Sequence, residues 1–307
     1  MNNLFKAFLL LLVFTASCST DDVADEIITE LPANNKIDIT INGEPPVHTI
    51  RDLTASFCCS NRISVSFNLR NESNGTGRSS FWVSLDKNGN LLGLGYNDFK
   101  NPSTDFYSPF FTPTSTLNIT DFEFVENQIL KFKVSGEIFE ETHNFFSIPE
   151  PTDIIATIEI TDFHECSCNT FSSSLQLSDD YNFGQFTRSS TGNDIRYFSH
   201  ANNGYQVELT NFTNSLRDMP VGVYNFDENS TTERINFRKF IGQPRAFSYT
   251  IIPQEWLTYD TAGSFEILER TRQSNGQLVT KVKFNLVVLE NNVIIHQFSN
   301  GIIETQS

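Results

Sequence analysis

Alternating apolar and polar residues run along most of this chain. Residues 63–69 place Ile, Val, Phe and Leu at every second position, and residues 282–288 place Val, Phe, Leu and Val in the same way. A period of two is that of a β-strand with one buried and one solvent-facing side. Residues 37–42, 130–135 and 205–210 alternate similarly. The chain is therefore predicted to consist mainly of strands.

Asn-Gly pairs separate these segments and are typical of tight hairpin turns. Outside the N-terminal segment no long stretch of the sequence has an apolar period of 3.6, so helices are expected to be few and short. Many strands with short turns and no helical crossovers predict an all-β protein with two antiparallel β-sandwich domains. The pairs are Asn42-Gly43, Asn74-Gly75, Asn88-Gly89, Asn203-Gly204, Asn275-Gly276 and Asn300-Gly301.

A faint internal similarity divides the chain into two halves, because the same order and spacing of predicted strands occurs twice. We interpret it as a duplication; the alternative is that any two β-hairpins share this spacing. The predicted domains are residues 37–165 and 166–307. The corresponding segments are 117–122, 130–138 and 155–163 in the first half, and 263–268, 278–289 and 293–303 in the second.

The N-terminal residues have the pattern of a secretion signal that ends at a cysteine. Leu4–Phe14 is apolar apart from Lys6, and three small residues precede Cys18. The apolar stretch is shorter than the roughly 20 residues of a membrane-spanning helix, and its charged start and small-residue exit are those of a signal peptide. The pattern resembles the signal of bacterial lipoproteins. This implies a signal peptide over residues 1–17 and a lipidated Cys18; the alternative is an ordinary signal with an incidental cysteine.

Four acidic residues follow Cys18, at positions 21, 22, 25 and 26. This cluster resembles the surface-export signal of Bacteroidota lipoproteins, which implies an outer-membrane protein that is lipid-anchored and faces the cell exterior. Residues 18–36 hold few large apolar side chains and are predicted to form a flexible tether, which would reach about 20–25 Å. The alternative is that the acidic cluster is only a solvated part of this tether.

The second half carries another resemblance. A strand at 205–209, a Pro-Val-Gly-Val-Tyr segment at 220–224 and a final hairpin follow one another in the order of small β-sandwich lipoproteins of unknown function from Bacteroidota. The resemblance implies the fold and no activity.

The formal charge of −16 limits which partners the protein is expected to bind. Nucleic-acid binding requires a basic surface, so no nucleic-acid partner is expected. Charge-driven docking on anionic lipid is disfavoured for the same reason. The expected partners are outer-membrane lipid, through the acyl chains on Cys18, and a glycan or an envelope protein.

Four cysteines remain after lipidation of Cys18. In an oxidising compartment they suggest two disulfides, with three connectivities. A bond within either close pair would strain the short loop that it closes, which favours pairing between the early and the late cysteines. A four-thiolate metal site is the alternative, although the usual C-x-x-C spacing is missing. The candidates are Cys58, Cys59, Cys166 and Cys168.

Neither a catalytic residue, a metal site nor a cofactor is predicted. The five histidines lack H-E-x-x-H or H-x-H spacing and are expected on loops or the surface, and G-x-S-x-G is missing from the sequence. Asp86–Asn90 is similar to the start of a calcium loop, but Gly89 is at the fourth position of the motif rather than the sixth. A hairpin turn with Asn88 and Gly89 at its tip is the favoured interpretation.

The best binding candidates are aromatic. Trp82 occupies a polar position in the alternation of residues 81–86, so it is predicted on the solvent-facing side, where it can stack on a sugar ring or anchor a protein. Residues 96–113 are rich in aromatic residues and proline, and long loops on rigid scaffolds often bind ligands. The alternative is that these aromatic residues plug the open end of a sandwich. The candidates are Trp82, Tyr96, Phe106, Tyr107 and Phe110.

The sequence therefore predicts a non-catalytic cell-surface lipoprotein that acts as a binding or envelope-support module. A first alternative is an accessory glycan-binding lipoprotein of a nutrient-uptake system. A second is a surface hydrolase with a catalytic carboxylate pair.

Overall fold

The computed structural model describes most of the chain after residue 34. The signal peptide, Cys18 and most of the tether lie outside the described residues, as do Cys59, Cys166 and Cys168; for Cys58 only the backbone is described. The described residues belong to one compact unit. They are 35–45, 49–58, 62–70, 78–98, 104–141, 150–161, 164–165, 174–177, 181, 183, 187–191, 194–212, 214–246, 253–273 and 276–306.

Two curled, largely antiparallel sheets form the protein, which confirms the predicted all-β class with two sandwich-like domains. Within the described residues the first sheet has ten strands and the second has nine. In the described part of the chain the one helix is a 3₁₀ turn at Pro253–Glu255. No helix there reaches the length and hydropathy that crossing a membrane requires.

The strands of the first sheet all precede residue 166, and the order across the sheet is β1-β9-β8-β6-β5-β4-β3-β2-β10, with β7 also paired to β8. They are β1 (Lys36–Ile41), β2 (Thr49–Cys58), β3 (Arg62–Arg70), β4 (Arg78–Asp86), β5 (Leu91–Asp98), β6 (Thr104–Tyr107), β7 (Leu117–Val125), β8 (Ile129–Glu140), β9 (Pro151–Ile160) and β10 (His164–Glu165).

The strands of the second sheet follow residue 173, in the order β11-β19-β18-β17-β16-β14-β13-β12, with β15 also paired to β17. They are β11 (Ser174–Gln176), β12 (Thr187–Thr191), β13 (Asp194–His200), β14 (Tyr205–Phe212), β15 (Gly222–Phe226), β16 (Arg234–Phe240), β17 (Trp256–Arg272), β18 (Leu278–Glu290) and β19 (Val293–Gln306).

The two sheets share one topological feature. In the first, the opening strand β1 pairs antiparallel with β9, and in the second the opening strand β11 pairs antiparallel with the last strand, β19. The segments that appear similar in the sequence become the meanders β7-β8-β9 and β17-β18-β19. One pairing departs from the antiparallel pattern: β10 lies parallel to β2, with His164 beside Ser56 and Glu165 beside Phe57.

Each sheet encloses its own hydrophobic core, built from the apolar positions of the alternating strands. In the first core Phe67 and Phe81 stack with ring centroids 4.9 Å apart, and both are at most 2% exposed. In the second, Phe265 and Phe284 are 1% exposed. Burying a side chain of this size stabilises a protein by about 1.5–3 kcal/mol. These repeated contributions fix which face of each strand points inward.

Several predicted turns are present. Asn42 and Gly43 both have positive φ, as a type I′ turn requires. Gly89 and Gly204 also have positive φ, and their N–H groups donate to the carbonyls of Asp86 and Ala201. Asn74, Gly75 and Asn275 lie outside the described residues.

The prediction of a turn at Asn300-Gly301 is wrong, because both residues lie inside β19. Asn300 has a φ of 60° at a register shift opposite Phe284 and Leu286, and its N–H donates to Asn285 Oδ1 at 3.0 Å. This is a β-bulge. A Cβ at Gly301 would lie 2.4 Å from the Phe284 ring, which explains the glycine. The Asn-Gly pair therefore marks a positive φ, which serves a bulge as well as a turn.

Candidate functional site

Trp82 lies on the outer face of β4, between the buried core residues Phe81 and Val83, and is 37% exposed. Its cross-strand partner on β5 is Gly95. A Cβ at Gly95 would lie 2.3 Å from the indole Nε1, and one at Gly93 would lie 3.2 Å from the far ring edge. The indole therefore lies flat along β5, in space that only glycine leaves open. In the sequence, this arrangement is indicated by a tryptophan at a solvent-facing position of one strand and a Gly-x-Gly segment in the next strand.

Tyr107 extends this aromatic surface. It pairs with Gly95 from the other side, so that Trp82, Gly95 and Tyr107 occupy one row across β4, β5 and β6. The Trp82 and Tyr107 ring centroids are 6.3 Å apart and the planes differ by 46°.

Tyr96 and Phe106 belong to the opposite face of the sheet. Tyr96 is 6% exposed, and its ring stacks on Phe106 with centroids 6.2 Å apart. Both residues pack with the first core. These two candidates are therefore part of the core packing of the first sheet, whereas Trp82 and Tyr107 are brought together outside the core.

The segment after β6 reaches the second sheet. The N–H groups of Phe110 and Phe111 donate to the Arg245 carbonyl at 2.8 and 3.2 Å, and the Arg245 N–H donates to the Phe111 carbonyl at 2.9 Å. At its start, Ser108 N–H donates to the Leu94 carbonyl at 2.8 Å. The segment is thus held by backbone hydrogen bonds at both ends.

Two neighbouring phenylalanines of this segment have different surroundings. Phe111 is 6% exposed and packs among His200, Phe240 and Trp256, with centroid distances of 4.7, 5.5 and 5.2 Å. Phe110 is 44% exposed and touches the His200 ring at 4.7 Å. Phe111 therefore anchors the segment, while Phe110 remains at the surface.

A cleft of about 460 Å³ lies between these aromatic residues and the turn that follows β13. Three of the five sequence-predicted residues line it, namely Trp82, Tyr107 and Phe110. The other side consists of His200, Ala201, Asn202 and Ala246 from the second half of the chain. The sequence does not reveal that side, because no periodicity links residues so far apart. The polar lining residues are Ser108, Thr112, Ser115, Thr116, Glu141, His200 and Asn202.

Both rings with titratable protons in the cleft are held uncharged. Burial raises the pKa of Tyr107, and the negative charges of Asp105 and Glu141 raise it further. Burial lowers the pKa of His200 to about 3, assisted by the positive charge of Arg238. At neutral pH the cleft therefore offers a phenol and a neutral imidazole, which can donate or accept hydrogen bonds.

The expectation that the histidines lie on loops or the surface is wrong for His200, and His296 lies on a strand rather than a loop. His200 ends strand β13 among aromatic rings, and His296 lies on β19 with its Nδ1 3.1 Å from the Tyr181 hydroxyl. His296 stands two residues before the buried Phe298, so the strand period places both on one face. Burial lowers the pKa of His296, with a contribution from Lys239.

The Asp86–Asn90 segment forms the hairpin turn between β4 and β5. Asp86 Oδ1 accepts hydrogen bonds from the N–H groups of Asn88 and Asn90 at 2.8 and 2.9 Å, and Oδ2 accepts one from the Asn90 amide at 2.9 Å. The carboxylate thus caps the turn. Among the described residues, no group of three or more His, Cys, Asp or Glu side chains is arranged to hold a metal ion.

The cleft combines exposed aromatic surface with hydroxyl, amide and carboxylate groups, a composition suited to holding a polar ligand with apolar ring faces. Comparisons of this chain with protein-family models, curated proteins and solved structures give no match.

Proposed function

We propose that this chain is a non-catalytic cell-surface lipoprotein that binds its ligand in the cleft beside Trp82. The observation that carries the proposal is the gathering of Trp82, Tyr107 and Phe110 around one cavity. Partly exposed aromatic residues grouped in a concave site are typical of binding sites. If these aromatic residues on the outer face of the sheet only stabilised the fold, they would not need to line the same cavity.

The non-catalytic assignment is supported by the acids of the cleft. Within the part of the lining that the structure describes, Glu141 is the one carboxylate. Most glycoside hydrolases use two carboxyl groups on either side of the scissile bond. A surface hydrolase is therefore the less supported alternative.

The location belongs to the same proposal. The signal pattern and Cys18 support a lipid anchor in the outer membrane, with the folded part facing the cell exterior. Two acyl chains or more anchor a protein stably, whereas a single chain does not. The partner at this end of the chain is therefore outer-membrane lipid.

The pairing of β2 with β10 supports disulfides between the early and the late cysteines. Phe57 and Glu165 are neighbours across the two parallel strands. In the sequence, Cys58 and Cys59 follow the first, and Cys166 comes directly after the second. Parallel strands that continue in register bring such successive residues within reach of each other.

Mass spectrometry of the mature protein, digested without reduction, tests the anchor and the disulfides together. We expect an N-terminal peptide beginning at an acylated Cys18, and peptides around residues 58–59 linked to peptides around 166–168. An unmodified N-terminus would contradict the anchor. Free thiols or bonds within each close pair would contradict the proposed pairing.

A second candidate function is that of an accessory glycan-binding lipoprotein in a nutrient-uptake system. The specific observation in its favour is the flat indole of Trp82 above Gly93 and Gly95, which leaves a broad ring face toward the cleft. Such a face stacks well on the apolar side of a sugar ring.

Removing the aromatic surface is expected to abolish most of the binding. Trp82→Ala and Tyr107→Ala should each weaken binding of polysaccharides or envelope components by about 30-fold or more, since buried aromatic anchors dominate binding energies. Affinity is measured by titration calorimetry with a glycan panel and with purified envelope proteins.

Val293→Ala is the matched control, because Val293 is 63% exposed and lies outside the cleft lining. It should bind as the unaltered protein does. Binding that survives both Trp82→Ala and Tyr107→Ala would show that the cleft is not the ligand site.

A further inference from the structure

We infer that the cleft selects an uncharged carbohydrate, whose hydroxyl groups donate to an acceptor-rich rim while a sugar ring stacks on Trp82. This inference rests on the proposed binding role of the cleft and adds the class of ligand. It is carried by three features of the lining: the orientation of its hydroxyl groups, its charges and the shape of its aromatic surface.

Three of the four serine and threonine hydroxyls on the described rim donate their protons to the backbone, whereas Ser108 Oγ accepts a hydrogen bond from the Leu94 N–H at 3.0 Å. Thr112 donates to the Thr114 carbonyl, Ser115 to the Leu117 carbonyl at 2.7 Å, and Thr116 to the Glu137 carbonyl at 3.0 Å. A hydroxyl that donates inward keeps its lone pairs for other partners. These three groups are therefore acceptors toward a ligand, and the Glu141 carboxylate is another. The rim favours a ligand rich in hydrogen-bond donors.

The charges of the lining exclude ligands that carry negative groups. Of the lining residues that the structure describes, Glu141 is the one with a formal charge, and its negative charge and that of Asp105 both raise the pKa of Tyr107. Uronate, sulfate and phosphate groups are acceptors only and would be repelled there. Arginine is their usual partner, but the described residues of the lining include neither Arg nor Lys.

Two arginines near the second-half side of the cleft are engaged by carboxylates: Arg238, whose charge acts on His200, and Arg245, whose backbone is hydrogen-bonded to Phe110 and Phe111. Arg238 forms an ion pair with Glu208 at 2.5 Å, and Arg245 forms one with Glu255. Neither arginine is therefore presented to an anionic ligand.

The aromatic residues fit a sugar ring better than a cation. A quaternary ammonium is held where several ring faces surround one point. Here the Trp82 ring lies flat on the strand and Tyr107 is tilted by 46° beside it, which forms an open surface. The volume of about 460 Å³ also exceeds what a small ammonium group fills. An open surface with acceptors along its rim matches a pyranose with one apolar face and several hydroxyl donors.

Titration calorimetry on the intact mature chain tests this inference, with three kinds of probe. These are neutral hexose oligosaccharides, oligosaccharides of the same length that contain uronates, and choline. We expect the neutral series to bind and the uronate series to bind at least about tenfold more weakly, since like charge and an unpaired acceptor both oppose binding.

Glu141→Gln separates the contributions of charge and hydrogen bonding. It should weaken binding of the neutral series by about three- to tenfold, because hydrogen bonds to an ionised acceptor are stronger than those to an amide. It should also reduce the difference in affinity between the neutral and the uronate-containing oligosaccharides. Val293→Ala should change neither value.

The outcomes distinguish failure of the inference from failure of the proposed cleft function. Preference for uronates or choline that is lost in Trp82→Ala would overturn the inference and leave the cleft function standing. Binding of no carbohydrate would also overturn the inference, while an envelope-protein interaction lost in Trp82→Ala would keep the cleft function. Neutral-sugar binding that is unchanged in Trp82→Ala and Tyr107→Ala would overturn both.

Discussion

Glu208→Ala is expected to lower the free energy of unfolding of the second sheet by about 3 kcal/mol, because removing one member of a buried ion pair leaves its partner without compensation. The Glu208 side chain is 3% exposed, and its carboxylate lies 2.5 Å from Arg238 and 3.6 Å from Arg196. The Asn236 amide donates to the same carboxylate at 3.4 Å. The alanine variant would leave the guanidinium of Arg238, a side chain that is only 18% exposed, without this acceptor.

Urea unfolding, monitored by tryptophan fluorescence, measures this effect and can be made to report on the second sheet. The chain has two tryptophans, Trp82 in the first sheet and Trp256 in the second. In a Trp82→Phe background the remaining signal reports on the second sheet. The midpoint should fall, with little change in the dependence on urea concentration.

Two variants serve as controls. Glu304→Ala removes an exposed ion pair with Lys281 and should cost at most about 1 kcal/mol. The double variant Glu208→Leu with Arg238→Leu removes both partners and should recover much of the loss. A Glu208→Ala variant as stable as Glu304→Ala would show that the arginines find other partners or water.

Phe111→Ala is expected to cost about 3–5 kcal/mol, the usual range for a buried phenylalanine. Its ring lies among His200, Phe240 and Trp256, and its backbone is hydrogen-bonded to Arg245. Loss of the ring would leave a cavity between the segment after β6 and the second sheet. The same urea titration measures the effect, and Trp256 fluorescence should change directly because that ring contacts Phe111.

Phe110→Ala is the matched control, one residue earlier in the same segment. Because Phe110 is 44% exposed, its removal should cost little stability but should weaken ligand binding. Phe111→Leu, which keeps most of the volume, should cost less than about 1.5 kcal/mol. Equal stability losses at positions 110 and 111 would contradict this division of roles.

The sequence predicted the fold class and the exposed position of Trp82, since both follow directly from the period of two. It could not divide the aromatic residues of 96–113 between core and cleft. Phe106 and Tyr107 are neighbours on a four-residue strand and must face opposite sides. Which one faces inward depends on the register with β5, and four residues carry too little alternation to fix it.

Two other features depend on contacts that no local pattern encodes. Glu208 stands at a polar position of β14, where alternation predicts exposure, yet β14 is buried on both faces along residues 206–210. The second wall of the cleft comes from the turn after His200, about ninety residues beyond Tyr107 in the sequence. Neither the ion pairs of Glu208 with arginines nor that side of the cleft can be predicted from the local sequence pattern.

The pairing of the opening strand β1 with the late strand β9 has a consequence for folding kinetics. Lys36 pairs with Glu159, so more than a hundred residues separate β1 from its partner strand in the sequence. Contacts between residues so distant in sequence slow folding, because loop closure precedes any gain from the contact. The first sheet should therefore fold on the millisecond-to-second scale of all-β proteins. During that interval the unpaired edge of β9 can pair with other chains and aggregate. Pairing of β1 with β9 removes this risk.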